Sequence, residues 1–147
     1  MSNPVSKLPI VLIGGGGHAS VLADILLRQG REIVAVICPD DISQRRVFSG
    51  IKQFHEDSDI EQFSPQGVSL VLGIGATPKS SLREKIAKYF VELGYHFESV
   101  IAETAFVSEY ATLENGAQVM EGAVIQAGAS IGLHSIVNTS ALDISLL

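Results

Sequence analysis

The sequence predicts an α/β Rossmann-like domain over residues 1–101, followed by the start of a left-handed parallel β-helix over residues 102–147. Three observations carry this expectation. Four consecutive glycines, residues 14–17, stand between an apolar run and a helical pattern. Strand-length apolar runs alternate with helical periodicity up to about Ile101, and a strict six-residue repeat of aliphatic residues takes over beyond Ala102.

Residues 9–13 are continuously apolar and rich in β-branched side chains, as expected of a buried parallel strand that runs into the glycines. Ala19, Val21, Leu22, Ile25 and Leu26 then recur at helical spacing up to Gly30, a C-terminal stop. Residues 32–37 read as a second strand, ended by Cys38-Pro39-Asp40-Asp41 because Pro39 cannot donate to a ladder. A weaker segment follows, where Ser58-Asp59-Ile60-Glu61 fits a capping box for a short helix reaching Phe63. Residues 68–74 form another apolar strand. Leu82, Ile86, Tyr89, Phe90 and Leu93 mark an amphipathic helix over 79–93, closed by Gly94. Strands apolar on both faces that alternate with helices imply βαβ units and a parallel sheet.

Beyond Ala102, Val107, Leu113, Val119, Ile125, Ile131 and Val137 fall six apart. Each is preceded two positions earlier by Ala105, Ala111, Ala117, Ala123, Ala129 or Ser135. A period of six fits neither a helix nor a simple strand; it is the hexapeptide signature of a parallel β-helix. The aliphatic residue is expected to point inward, the small one to fit a corner, and three hexads to make one triangular coil. Gly116, Gly122, Gly128 and Gly132 are expected to supply the turns.

With 46% apolar and 18% charged residues, the chain is an ordinary globular protein and not a disordered one. Its longest apolar runs fall far short of the roughly 20 residues needed to span a bilayer. The N-terminus lacks a small-residue cleavage site after an apolar core, and the single cysteine, Cys38, cannot form an internal disulfide, so a cytoplasmic location is expected. A net charge of −6 argues against nucleic acid as a partner. No residue pattern points to a metal, and any anionic ligand must be held locally.

The glycines offer that local hold. Gly14-x-Gly16-x-x-Ala19 is a dinucleotide fingerprint in the required context between strand and helix. Gly14, Gly15, Gly16 and Gly17 would let backbone N–H groups and a helix N-terminus face a phosphate. The same glycines would equally make a plain tight turn. His18 opens the helix beside that position. Asp40 lies near the end of the second strand, where such domains keep an acid for ribose hydroxyls, although the Pro39-Asp40-Asp41 stretch also reads as turn chemistry. Thr77 and Lys79 follow a strand's carboxyl end, the edge where α/β ligands bind, and equally suit a helix start. His55, His96 and Cys38 carry no partner pattern.

A glycine loop ending in His, joined to a hexapeptide β-helix, resembles bacterial sugar acetyltransferases of the sialic-acid O-acetyltransferase and UDP-4-amino-sugar N-acetyltransferase type. The resemblance covers the whole chain: "GGGGHA", Asp40, "PKSSLREKI" and "IGLHSIVNT" follow in the family's order. It implies that the first domain holds a UDP-sugar or related nucleotide sugar. It also implies acetyl-coenzyme A as co-substrate for acetyl transfer in surface polysaccharide or glycan synthesis, a homotrimeric β-helix, and a histidine general base.

Against that pattern, Ala102-Glu103 replaces a His-Pro, and Asp143 stands where an inward aliphatic residue is expected. Counting on from Asn138, a family active-site position that could also belong to an asparagine ladder, places the catalytic histidine at Ser145, or at Ile144 if one residue is missing. His134, the remaining solenoid histidine, is expected at a solvated corner. The family continues for further coils that carry most of the coenzyme A site and the trimer interface, so the sequence reads as about two coils of a member cut short. An acetyltransferase-lineage chain that is inactive in this form is the leading expectation. A nucleotide-sugar-binding module without catalysis and an NAD-dependent oxidoreductase are the alternatives.

Overall fold

The computed structural model describes residues 7–143 of the chain, the side chain of Asp143 excepted. It divides into two compact units, 1–96 and 97–147. The division falls ahead of the expected 101/102 boundary because Val100–Ile101 pairs with a strand of the second unit.

The first unit contains β1 (Ile10–Ile13), α1 (Gly17–Arg28), β2 (Ile33–Ile37), β3 (Lys52–Phe54), β4 (Ser69–Leu72) and α2 (Leu82–Glu92). Its four strands form one parallel sheet in the order β3-β2-β1-β4. All four residues of β1 are buried, as are Leu70, Val71 and Leu72 of β4, because the central strands of a parallel sheet are covered on both faces. Ala19, Leu22, Ala23, Ile25 and Leu26 form the buried face of α1. The helix stops ahead of Gly30, whose φ of 75° lies in the left-handed region.

Three local expectations are corrected. The short helix is a 3-10 turn, Asp57–Gln62, and its box is made by Glu56 and Asp59: the Asp59 carboxylate accepts from the Glu56 N–H at 3.1 Å. The strand β3 lies in the segment that shows no apolar run. On α2 the buried stripe is Arg83, Ala87 and Phe90, whereas Leu82 and Leu93 are exposed.

The second unit contains β5 (Val100–Ile101), β6 (Phe106–Val107), β7 (Thr112–Leu113), β8 (Gln118–Val119), β9 (Val124–Ile125), β10 (Ser130–Ile131), β11 (Ile136–Val137) and β12 (Leu142–Asp143). They form three short parallel sheets, β11-β8-β5, β12-β9-β6 and β10-β7. Each strand pairs with the one three strands on, the three-sided arrangement of the start of a β-helix. Ala117, Val119, Ala123, Ile125, Ala129, Ile131 and Val137 form its core, with Val107 and Leu113 packed against them. The inward register is the one the hexads imply.

The corners differ from expectation. Turn hydrogen bonds run from Ala117 to Glu114, Ala123 to Met120, Ala129 to Gln126, Ser135 to Gly132 and Ala141 to Asn138. The third residue of each turn has positive φ: Gly116, Gly122, Gly128, His134 and Ser140. Gly132 therefore opens a turn, and the left-handed positions after Gly128 are held by His134 and Ser140 without glycine.

Candidate functional site

The sheet order reverses between β1 and β4, since the chain builds outward from β1 through β2 to β3 and then returns to β1's other side. In open parallel sheets the crevice at the carboxyl ends of such strands is where ligands sit. Here that crevice is a cleft of about 760 Å³, lined by residues following β1, β2, β3 and β4 and by Leu82 and Ile86 of α2.

The glycines divide by what surrounds them. A β-carbon at Gly14, whose φ is 105°, would stand 2.9 Å from the Gly73 carbonyl oxygen. One at Gly15 would stand 2.6 Å from Ile42 Cγ2 and 3.1 Å from Cys38 Sγ. These two glycines are required by packing. A β-carbon at Gly16 or Gly17 would meet no protein atom within 4 Å, yet both residues line the cleft. They leave the start of α1 open to close approach, and α1 has no acidic residue in its first turn. A helix N-terminus presented through glycine backbone is an anion-binding geometry.

His18 lines the same cleft beside Gly75, where an added β-carbon would lie 3.7 Å from His18 Cβ. Asp40 lines it from the end of β2. Its neighbour takes the turn role: the Asp41 carboxylate accepts the Ser43 N–H at 2.9 Å, and that bond holds its pKa below the usual value. The Gln53 amide donates to the carbonyls of Cys38 at 2.9 Å and Asp40 at 2.6 Å, clamping the turn that presents Asp40.

Sequence reading missed His55, Glu56 and Asp57, which also line the cleft. They follow β3, and a third parallel strand beside β2 was the missing clue. Burial, and then the Glu56 charge, push the Asp57 carboxyl above the ordinary range. Cys38, Gly73 and Gly75 join the lining as well. Thr77 and Lys79 do not; both are exposed in the segment leading to α2.

Arg83 shapes this side of the cleft from behind. It is 6% exposed and donates to the carbonyls of Leu72, at 3.3 Å, and Ile74. Burial lowers its pKa to about 10, so it stays charged at neutral pH while bracing the end of β4.

In the second unit, Asn138 is exposed and opens a turn through its carbonyl. His134 is half-buried at φ 57°, edge-on to the Phe97 ring at 5.3 Å, in place of the solvated corner expected of it. Ser145 and Ile144 lie outside the described residues. Among the described residues no three His, Cys, Asp or Glu converge as metal ligands, and no helix is long and apolar enough to cross a membrane.

The family described as the PglD N-terminal domain matches residues 9–90, the segment that builds this cleft. Among solved structures, the chain is similar to the acetyltransferase domain of PglB from Neisseria gonorrhoeae FA1090, in complex with acetyl coenzyme A: 27% identity over 95% of this chain and 65% of that one, TM-score 0.78. It is also similar to PerB from Caulobacter crescentus, in complex with CoA and GDP-perosamine: 29% identity over 97% of this chain and 65% of that one, TM-score 0.79. The chain thus spans 65% of the length of both solved structures. No curated protein matches its sequence significantly.

Proposed function

The chain belongs to the PglD N-terminal domain family, and on that basis we propose that its first unit binds a nucleoside-diphosphate sugar, with the diphosphate against backbone N–H groups of residues 15–18. The observation that carries this reading is the open approach over Gly16 and Gly17 at the start of α1. In this reading Asp40 accepts from ribose hydroxyls, and His18 contacts the diphosphate or the sugar. Sequence resemblance suggested a UDP-sugar; the GDP-perosamine complex of PerB brings guanosine into the comparison.

The lineage is that of sugar acetyltransferases. For the whole protein we propose acetyl transfer from acetyl-coenzyme A to an amino or hydroxyl group of the bound sugar, on a left-handed β-helix that trimerises, in the cytoplasm. The 147-residue chain carries Ser145 and Ile144 where the base is expected. With neither residue able to act as that base, the chain is proposed to bind sugar nucleotide without transferring acetyl. An NAD-dependent reading requires a second mononucleotide half, and the described residues of the first unit supply a single four-stranded sheet.

Calorimetric titration separates these readings. Saturable binding of a UDP- or GDP-linked amino sugar, with none of NAD, is expected. Binding of NAD alone would overturn the proposal.

A further inference from the structure

The cleft presents a charge problem. Its described lining contains Asp40, Glu56 and Asp57 but neither Lys nor Arg, and a helix N-terminus offers only about half a positive charge. A diphosphate diester is dianionic, so like-charge repulsion would act against it at this site.

A cation is tied to the glycine loop from outside. The Ser20 hydroxyl donates to the Gly16 carbonyl at 2.8 Å, and Arg45 Nη1 donates to that hydroxyl at 3.3 Å. Arg45 therefore lies two hydrogen bonds from Gly16, the residue immediately before α1. Its segment is already seated against the loop, because Ile42, whose carbonyl accepts the Arg45 N–H at 3.0 Å, fills the space beside Gly15. The Arg45 side chain is exposed and borders a second, smaller cleft of about 280 Å³. Its guanidinium is thus held by one long bond to a hydroxyl and is not committed to a carboxylate in any bond seen here.

We propose that Arg45 is a diphosphate-binding residue: on ligand binding its guanidinium turns from Ser20 to the phosphate oxygens presented at Gly16 and Gly17, supplying the positive charge that the cleft wall lacks. This rests on the nucleotide-sugar reading above. A planar fork suits the role, since it can donate two parallel N–H bonds to one phosphate or bridge two. Ser20 then acts as the resting position that keeps the side chain beside the loop.

The test is calorimetry with UDP, GDP, UMP and GMP on the wild-type chain, Arg45→Ala and Arg45→Lys, at low and high salt. Arg45→Ala is expected to unfold at the wild-type temperature and to bind the preferred diphosphate about tenfold more weakly, with a smaller loss for the monophosphate and a shallower salt dependence. Arg45→Lys should recover part of the loss, as a point charge without the fork. Equal affinity of Arg45→Ala and wild type for the diphosphate, or equal losses for mono- and diphosphate, would overturn the assignment. Failure of the wild type to bind either diphosphate would instead refute the nucleotide-sugar reading on which it rests.

Discussion

Gly14 and Gly73 meet so closely that a β-carbon on Gly14 would stand 2.9 Å from the Gly73 carbonyl oxygen. Gly73 is enclosed in turn: its own β-carbon would lie 2.7 Å from Ala19 Cβ and 2.8 Å from the Ile13 carbonyl oxygen. The carboxyl ends of β1 and β4 and the first turn of α1 therefore pack backbone to backbone. The floor of the cleft is main chain, which is what lets a ligand come close to the helix terminus.

Gly73→Ala places a methyl group against two parts of the structure that cannot yield independently. A loss of roughly 1–3 kcal/mol is expected, the usual cost of overpacking, read as a lower urea midpoint. An unchanged midpoint would contradict the contact.

Gly16→Val isolates ligand approach from packing. Gly16 has φ −88° and ψ −154°, an extended conformation open to any residue, with no protein atom within 4 Å of a β-carbon. The variant should keep its thermal midpoint yet bind nucleotide sugar at least tenfold more weakly, about 1.4 kcal/mol. Wild-type affinity in the folded variant would remove the loop from the site.

These two variants also show where the sequence stops being informative. Four adjacent glycines look alike as letters, and the fingerprint places a phosphate site near them. Which are filled by Ile42, Cys38 and Gly73 and which stay open depends on residues distant in the chain. Arg83 hides the orientation of α2 for a related reason: its long stem is buried because Leu72 and Ile74 offer it carbonyls, which periodicity of apolar residues cannot register. Likewise β3 is only Lys52–Phe54, half-buried at Gln53 and Phe54, so the cleft residues after it went unassigned. The six-residue repeat is legible because its six inward positions from Val107 to Val137 are all aliphatic. Its corners were less so, because His134 and Ser140 take a conformation that sequence reading reserves for glycine or asparagine.

Gly116→Ala probes one of those corners. The residue has φ 78°, and its β-carbon would stand 2.4 Å from His134 Nδ1. Backbone strain and displacement of the imidazole together are expected to cost about 1–3 kcal/mol by chemical denaturation. In a His134→Ala background only the backbone part should remain, so a double-mutant cycle should give a nonzero coupling. Additive losses would show that the ring does not press on Gly116.

Asp57 and Asp41 should respond to pH in opposite directions. The folded pKa of Asp57 is raised, so its effect is absent when both states are protonated, and stability is lost as pH rises through the folded value. Asp57→Asn should therefore raise the thermal midpoint at pH 7 relative to wild type and leave it unchanged near pH 2. The Asp41 pKa is lowered, so its contribution is present above the unfolded value of 3.8 and is lost as pH falls through the folded one. Asp41→Asn should lower the midpoint at pH 7. Shifts of the same sign in both variants at pH 7 would contradict the assignment.

Catalysis is the remaining prediction, and it turns on the residues that stand where the resemblance places the base. A general base must lie within hydrogen-bond reach of the acceptor's proton and typically contributes 10²- to 10⁴-fold in rate. Resemblance places that base at Ser145 or Ile144, where neither a hydroxyl nor an alkyl group can replace an imidazole near neutral pH. His134 is the histidine that the second unit does contain. Its ring is half-buried, edge-on to Phe97 and backed by Gly116, so packing already occupies it. The 147-residue chain is therefore expected to bind nucleotide sugar and to release no coenzyme A from acetyl-coenzyme A above background. The acceptors to test are UDP-4-amino sugars, GDP-perosamine and sialic acid, with His134→Ala run alongside. Turnover that disappears in His134→Ala would overturn this expectation and make that imidazole the base.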